Sequence, residues 1–244
     1  AKVFHQAGLS WTLSSHASEA ANFGLFIGSH ENMQILAMRV RQAALDLGVK
    51  RIVLGECGHA WRVAYNFLNT LAGPFDFLYP DYTVPQHICE VTYDLIQRNK
   101  LKLDKSVNDD KVITFHDSCN IARGSRMGDM VGGQFIIPRE IIKASCNHFY
   151  DMAEDTIKES TFCCGGGGGF NGIGLYRKQR NKALITKRDQ ILNTGAKLVL
   201  APCHNCWDAI RDLEEEYRIG IRWSFLKPLI LNMVVVPEHL KPKE

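Results

Sequence analysis

The sequence predicts an α/β protein of two similar halves, residues 1–104 and 105–244, each a small parallel sheet with flanking helices and the first degenerate in its cysteines. Three observations carry this expectation. Short apolar runs alternate with amphipathic stretches, the pattern of parallel strands covered by helices. Residues 51–61 match residues 197–207 without a gap, and the register continues from 75–79 to 221–225, both short and apolar. The cysteines lie unevenly over this repeat: Cys203 has a counterpart in Cys57, but Cys206 falls opposite Ala60, and Cys163-Cys164 falls opposite Thr12 to Ala17, where there is none.

Taken in order, a helix over 31–47 closes at Gly48, where a C-cap is expected, and a strand over 51–54 follows. A helix over 60–71 leads to the apolar segment 75–79, read as a strand, and then to a helix over 85–99. The charged stretch 99–111 is the linker. Beyond it come a strand over 112–115, a helix over 138–148 and a long helix over 175–194, closed by Gly195 just before a strand over 197–200. A helix over 206–217 and a strand over 221–223 complete the second half. Trp61 and Trp207 recur at one repeat position, which argues for packing.

Composition excludes several classes. With 45% hydrophobic and 23% charged residues the chain is ordinary for a soluble globular protein, and a net charge of +3 gives no argument for nucleic acid. Residues 1–10 lack the charged start and long apolar stretch of a signal peptide. The apolar run 225–236 is broken by Lys227, Pro228 and Asn232 and falls short of the about 20 residues that cross a bilayer, so no direct membrane span is expected. Eight cysteines, four of them in two tight pairs, read as metal-binding or redox thiols of a reducing compartment.

Five cysteines of the second half lie at strand ends or in turns. Cys119 follows the strand 112–115, and Cys163 and Cys164 end the short segment 161–162 and open a glycine run. Cys203 follows the strand 197–200 and Cys206 begins a helix. Ligands of an open parallel sheet gather beyond the carboxyl ends of its strands, so the five converge there. A C-x-x-C turn lets two sulfurs face one metal centre, and the amides of a helix start favour thiolate. Adjacent Cys163 and Cys164 diverge and suit different irons of one cluster. Gly165, Gly166 and Gly167 let backbone approach a bulky inorganic core and aim N–H groups at its sulfides. The reading is one iron–sulfur cluster, with one thiolate more than an ordinary cubane takes. Taken alone, Cys203-x-x-Cys206 also reads as structural zinc or a redox disulfide. The three further cysteines favour the cluster. His116 and His204 flank the ligands and either carry protons to a leaving sulfur or serve as caps.

This arrangement, with the stretch Phe115-His116-Asp117-Ser118-Cys119 and Arg123, resembles the cysteine-rich CCG domain of the heterodisulfide reductase catalytic subunit. Relatives of that domain include iron–sulfur subunits of glycolate oxidase and anaerobic glycerol-3-phosphate dehydrogenase. One intact and one degenerate half, with the stretches 126–129 and 133–138, is closest to the DsrK-like (HmeD) branch of the membrane-bound complex of dissimilatory sulfur metabolism. The resemblance implies a noncubane [4Fe-4S] cluster that breaks or forms a sulfur–sulfur bond on a small DsrC-like sulfur-carrier protein. It also implies partner subunits in a membrane electron-transfer complex, with the chain peripheral on the cytoplasmic side. The gaps of 43 and 38 residues between cysteine groups run longer than the family's usual spacing. The ferredoxin-like cubane motifs of that branch are not in the sequence, so it reads as the C-terminal part of a longer subunit.

Other readings stand beside this one. An electron-wire subunit of a flavin dehydrogenase would use the same cluster without disulfide turnover, and a zinc-stabilised interaction module would use none. Gly167-x-Gly169-x-x-Gly172 satisfies the dinucleotide fingerprint literally, but a run of five glycines makes such a match cheap. Cys146 sits on an amphipathic helix and reads as core, as does Cys89. Cys57 reads either as a buried structural thiol or as facing the other half. Arg177, Lys178, Arg180, Lys182, Lys187 and Arg188 form either a solvated face or a docking surface for an acidic partner.

Overall fold

The computed structural model describes residues 1–17, 22–82 and 85–235; residue 236, the end of the late apolar run, lies outside them. Two short helices, α1 (Lys2–Gln6) and α2 (Asn22–Phe26), precede α3 (His30–Asp46). The Ser29 hydroxyl starts α3 by accepting the Asn32 N–H at 3.2 Å, and Gly48 stops the chain turning further at φ +61°. Then come β1 (Val53–Leu54), α4 (Gly58–Ala72), β2 (Gln86–His87) and α5 (Ile88–Gln97). β1 and β2 pair in parallel, with Leu54 opposite His87.

The second half runs β3 (Ile113–Phe115), α6 (Cys119–Ala122), α7 (Gly133–Ser145), α8 (Arg177–Ala183), α9 (Ile185–Leu192), β4 (Leu198–Leu200), α10 (His204–Tyr217), β5 (Arg222–Ser224) and α11 (Leu226–Met233). Its sheet is parallel in the order β3-β4-β5. β3 and β4 are buried along their whole length, as strands covered on both faces must be. The protein is α/β, with two small parallel sheets flanked by helices. No helix among the described residues is long and apolar enough to cross a membrane.

The repeat is visible in the backbone. Cys57 and Cys203 are the N-caps of α4 and α10, so both helices begin at matching positions after matching strands. The correspondence then slips. Residues 75–79 are not a strand: Pro74 and Pro80 bracket a turn in which the Leu78 N–H reaches the Phe75 carbonyl at 3.1 Å. The strand that pairs with β1 is β2, and the helix expected over 85–99 starts only at Ile88, because Gln86 and His87 are drawn into that pairing. The helix expected over 138–148 begins five residues sooner, at Gly133, and carries Pro138 inside it, while burying Phe135, Ile137, Ile141 and Ile142. The long helix expected over 175–194 breaks at Leu184 into α8 and α9.

One apolar core joins the two halves. It draws Trp61, Ile88 and Leu95 from the first and Ile113, Ile141, Leu200 and Leu226 from the second. Each such aliphatic side chain contributes about 1.5–3 kcal/mol on burial. A polar clamp adds to it: the Glu56 carboxylate, in the turn before Cys57, accepts the Leu226 and Lys227 N–H groups at 2.8 and 2.7 Å. The β1–α4 turn is thereby fixed against the start of α11, and with it the end of α4 that approaches the cysteines.

Candidate metal centre

The Phe115-His116-Asp117-Ser118-Cys119 stretch leaves β3 under tight control. The His116 N–H donates to the Leu200 carbonyl at 2.8 Å, extending the β3–β4 pairing by one residue. Asp117 receives both terminal nitrogens of Arg139, at 2.8 and 2.7 Å, and the Lys158 N–H at 2.8 Å. Arg139 also holds Asp151. No strand precedes Cys163. Instead a 3₁₀ turn (Lys158–Ser160) leads to Thr161, whose hydroxyl donates to the Asp117 carbonyl at 3.1 Å. That bond ties the Cys163-Cys164 segment to the Cys119 turn.

Sulfur meets sulfur along an unbroken line: Cys119 with Cys163, Cys163 with Cys164, Cys164 with Cys206 at 2.9 Å, and Cys206 with Cys203. Cys164, Cys203 and Cys206 are buried, Cys119 is half-buried and Cys163 is exposed, so the group opens to solvent on the Cys163 side. Crowded sulfurs cannot all ionise. Hydrogen bonds from Cys119 and Cys164 hold the Cys163 thiol well below its ordinary range, and one from Cys206 does the same for Cys203. The donors are pushed up: Cys119 and Cys164 by their bonds to Cys163, and Cys206 by its bond to Cys164.

The glycine run wraps this group. The Gly165 N–H donates to the Cys163 sulfur at 3.3 Å, and Gly165 stands at φ +72°. A Cβ on Gly166 would fall 2.2 Å from the Asn205 carbonyl oxygen, so only glycine passes the start of α10 there. A Cβ on Gly167 would meet His59 Nε2 at 3.3 Å. His116 is buried with neither ring nitrogen hydrogen-bonded, and burial lowers it to about 3. The ligand atoms of His116, Cys164 and Cys206 lie within 4.8 Å of one another. Thiols in mutual contact, amide donors aimed at sulfur and an unpartnered imidazole suit a thiolate-bound iron–sulfur group. These residues fit one.

Residues 113–211 match the family described as the CCG cysteine-rich domain. Over 225 residues the chain is 34% identical to the "Hdr-like menaquinol oxidoreductase iron-sulfur subunit 2" of Archaeoglobus fulgidus, covering 80% of this chain and 39% of that protein. It is 37% identical over 164 residues to the D subunit of the dihydromethanophenazine:CoB--CoM heterodisulfide reductase of Methanosarcina mazei, covering 63% of this chain and 35% of that protein. The chain belongs to the CCG-domain, heterodisulfide reductase-like family. A further relative is the "EtfAB:quinone oxidoreductase" of Syntrophomonas wolfei, 25% identical over 194 residues, or 76% of this chain and 24% of that protein. The chain thus spans about two fifths of the length of the first of these proteins, and less of the others.

Within the CCG half, the structure sorts the remaining expectations. His204 faces solvent: its side chain is 63% exposed, its Nδ1 lies 3.2 Å from Asp208, and its ring stacks on Trp207. Cys89 and Cys146 are buried in the main core, as expected of them. Cys57 lines a groove of about 1000 Å³ between residues 12–17, α3 and β1 on one side and Asn171, His204 and Asn205 on the other. The expected basic surface over 177–188 does not form as a whole. Arg180 is buried against Asp212, Lys187 is buried, and Arg177 is engaged by Glu215 at 2.5 Å. Lys178 and Lys182 alone are exposed.

Two residues of the site escaped the sequence reading. His59, on the first turn of α4, bonds the Cys203 sulfur, accepts the Gly168 N–H at 3.4 Å and contacts the Asn205 amide. Its signal was the repeat itself, which sets His59 opposite Asn205. Lys187 is the other. Arg180, Leu184, Lys187 and Ile191 follow helical spacing and are all buried, so the stripe was legible although two of its members are charged.

Proposed function

We propose that Cys119, Cys163, Cys164, Cys203 and Cys206 hold one noncubane [4Fe-4S] cluster, and that the chain is the redox part of a heterodisulfide reductase-like oxidoreductase acting on sulfur groups. The observation that carries this is the unbroken line of five sulfurs within a matched CCG domain. When bound, such a cluster supplies single-electron chemistry beside a sulfur substrate. The protein's own residues do the rest. Gly165 and its neighbours present N–H groups to sulfur, the Arg139–Asp117 pair fixes the Cys119 turn, and His116 sets a buried neutral imidazole beside Cys164 and Cys206, where negative charge added on reduction would raise its affinity for a proton. We assign proton handling to His116 and not to His204, which is held by Asp208 in solvent.

The substrate in this reading is a disulfide or trisulfide on a small DsrC-like carrier protein; two electrons and two protons reduce a disulfide to two thiols, four of each reduce a trisulfide to two thiols and hydrogen sulfide, and the reverse steps form them. Other subunits of a membrane complex supply or take the electrons, and the chain lies peripherally on the cytoplasmic side. Residues 1–104 are then a repeat that kept its fold and, of the cluster positions, only Cys57. The opening at Cys163 supports access by a partner, since its neighbour Phe162 is exposed, as are Phe170, Leu175 and Tyr176 further along the chain. The likeness to a protein named EtfAB:quinone oxidoreductase favours a second reading, an electron-wire subunit without disulfide turnover. Iron and sulfide assay with EPR on anaerobically purified protein tests the cluster, and turnover of a carrier-bound disulfide separates the two readings. Zinc in an iron-free preparation would overturn both.

A further inference from the structure

Lys187 lies on α9 with 2% of its surface exposed. Its ammonium touches the Met152 sulfur at 3.6 Å, and among the described residues no carboxylate comes within ion-pair distance of it. Burying an ammonium costs several kcal/mol unless an opposite charge answers it. Met152 belongs to the same apolar cluster as Cys164, Cys203 and Cys206. The charges that act on Lys187 are Asp117 first, then Cys164, Cys206 and Cys163. Asp117 is met by both Arg139 nitrogens and the Lys158 N–H, but Arg139 is shared with Asp151, so Lys187 faces both the Asp117 carboxylate and the sulfurs, which become negative as thiolate ligands.

We infer that Lys187 is the fixed counter-charge of the cysteine centre, a positioning residue that makes a cluster held there easier to reduce; this rests on the cluster assignment proposed above. Reduction adds negative charge to the site. A cation buried nearby, where little water screens it, favours the reduced state more than the oxidised one. Burial lowers the Lys187 ammonium only to about 8, so it carries its charge near neutral pH.

The test uses the full chain, purified anaerobically, with Lys187→Met and Lys187→Arg beside the parent. Iron and sulfide content come first: zinc without iron in the parent defeats the cluster reading, and this inference with it. Given iron in all three, redox titration followed by EPR decides. Lys187→Met should lower the reduction equilibrium constant at least tenfold, a midpoint about 59 mV more negative for one electron, while Lys187→Arg stays with the parent. A Lys187→Met midpoint equal to the parent's would overturn the inference and leave Lys187 as a partner of Asp117 only. Should Lys187→Met lose its iron, retention by Lys187→Arg supports the charge, and equal loss from both refutes it.

Discussion

Replacing Gly166 by alanine adds one methyl group where the backbone of another element already stands. The new Cβ would lie 2.2 Å from the Asn205 carbonyl oxygen and 2.9 Å from its carbon, against ordinary contact at about 3.4 Å, so about 1 Å of movement is forced. A flexible side chain could swing away, but Asn205 is backbone in the first turn of α10, and Cys206 is the next residue. Overpacking of this kind costs about 1–3 kcal/mol, and here the strain is delivered to one of the cysteines proposed to hold the cluster. The control is Gly168→Ala. A methyl group added at Gly168 would meet nothing within 4 Å, but the residue stands at φ +64°, so its variant suffers a backbone penalty of about 1–2 kcal/mol without pushing on any cysteine. Both variants should therefore shift the urea midpoint to a comparable degree, while only Gly166→Ala should lose iron or change its EPR spectrum. If Gly166→Ala keeps the parent's iron content and spectrum, the close passage of the glycine run is not what holds Cys206, and the reasoning fails.

Three further outcomes follow from the same geometry. Burial raises the Glu56 carboxyl from 4.5 to about 7, so the folded state holds this proton more tightly than the unfolded one; stability should be fullest below pH about 4.5 and fall by about 3 kcal/mol as pH rises to about 7. Urea unfolding across that range should show the slope in the parent and a flatter profile in Glu56→Gln; identical slopes would exclude Glu56 as its source. Arg180→Met breaks a buried pair with Asp212 and should destabilise by about 3–5 kcal/mol, whereas Arg177→Met, at a half-exposed pair, should cost no more than about 1 kcal/mol. Equal midpoints for those two variants would contradict the burial that separates them. Alanine at Cys119, Cys163, Cys164, Cys203 or Cys206 should strip or alter the iron centre, while Cys89→Ala and Cys146→Ala should leave iron per chain unchanged.

The cysteine centre was legible because its spacing is local to strand ends and helix starts, and those positions are marked by apolar runs and by the repeat. Cys203 and Cys206 were placed correctly for that reason, as were β1, β3 and β4. The strand expected at 75–79 failed because two prolines outweigh a short apolar run, and pairing passed to Gln86–His87. The helix over 175–194 was found but not its break at Leu184, since nothing in the local pattern marks a bend that packing imposes.

By itself, then, the sequence determined the fold class, the repeat and which cysteines share a half, because periodicity and motif spacing act within short windows. Tertiary structure alone decided which charges face water. Arg180 is buried because Asp212, 32 residues away, meets it, and Lys187 because α9 packs on the sulfur side of the sheet. It also decided that the first half contributes to the site: His59 reaches Gly168 across 109 residues of chain. Burial and pairing depend on partners distant in sequence, and a local pattern carries no information about which of them arrive.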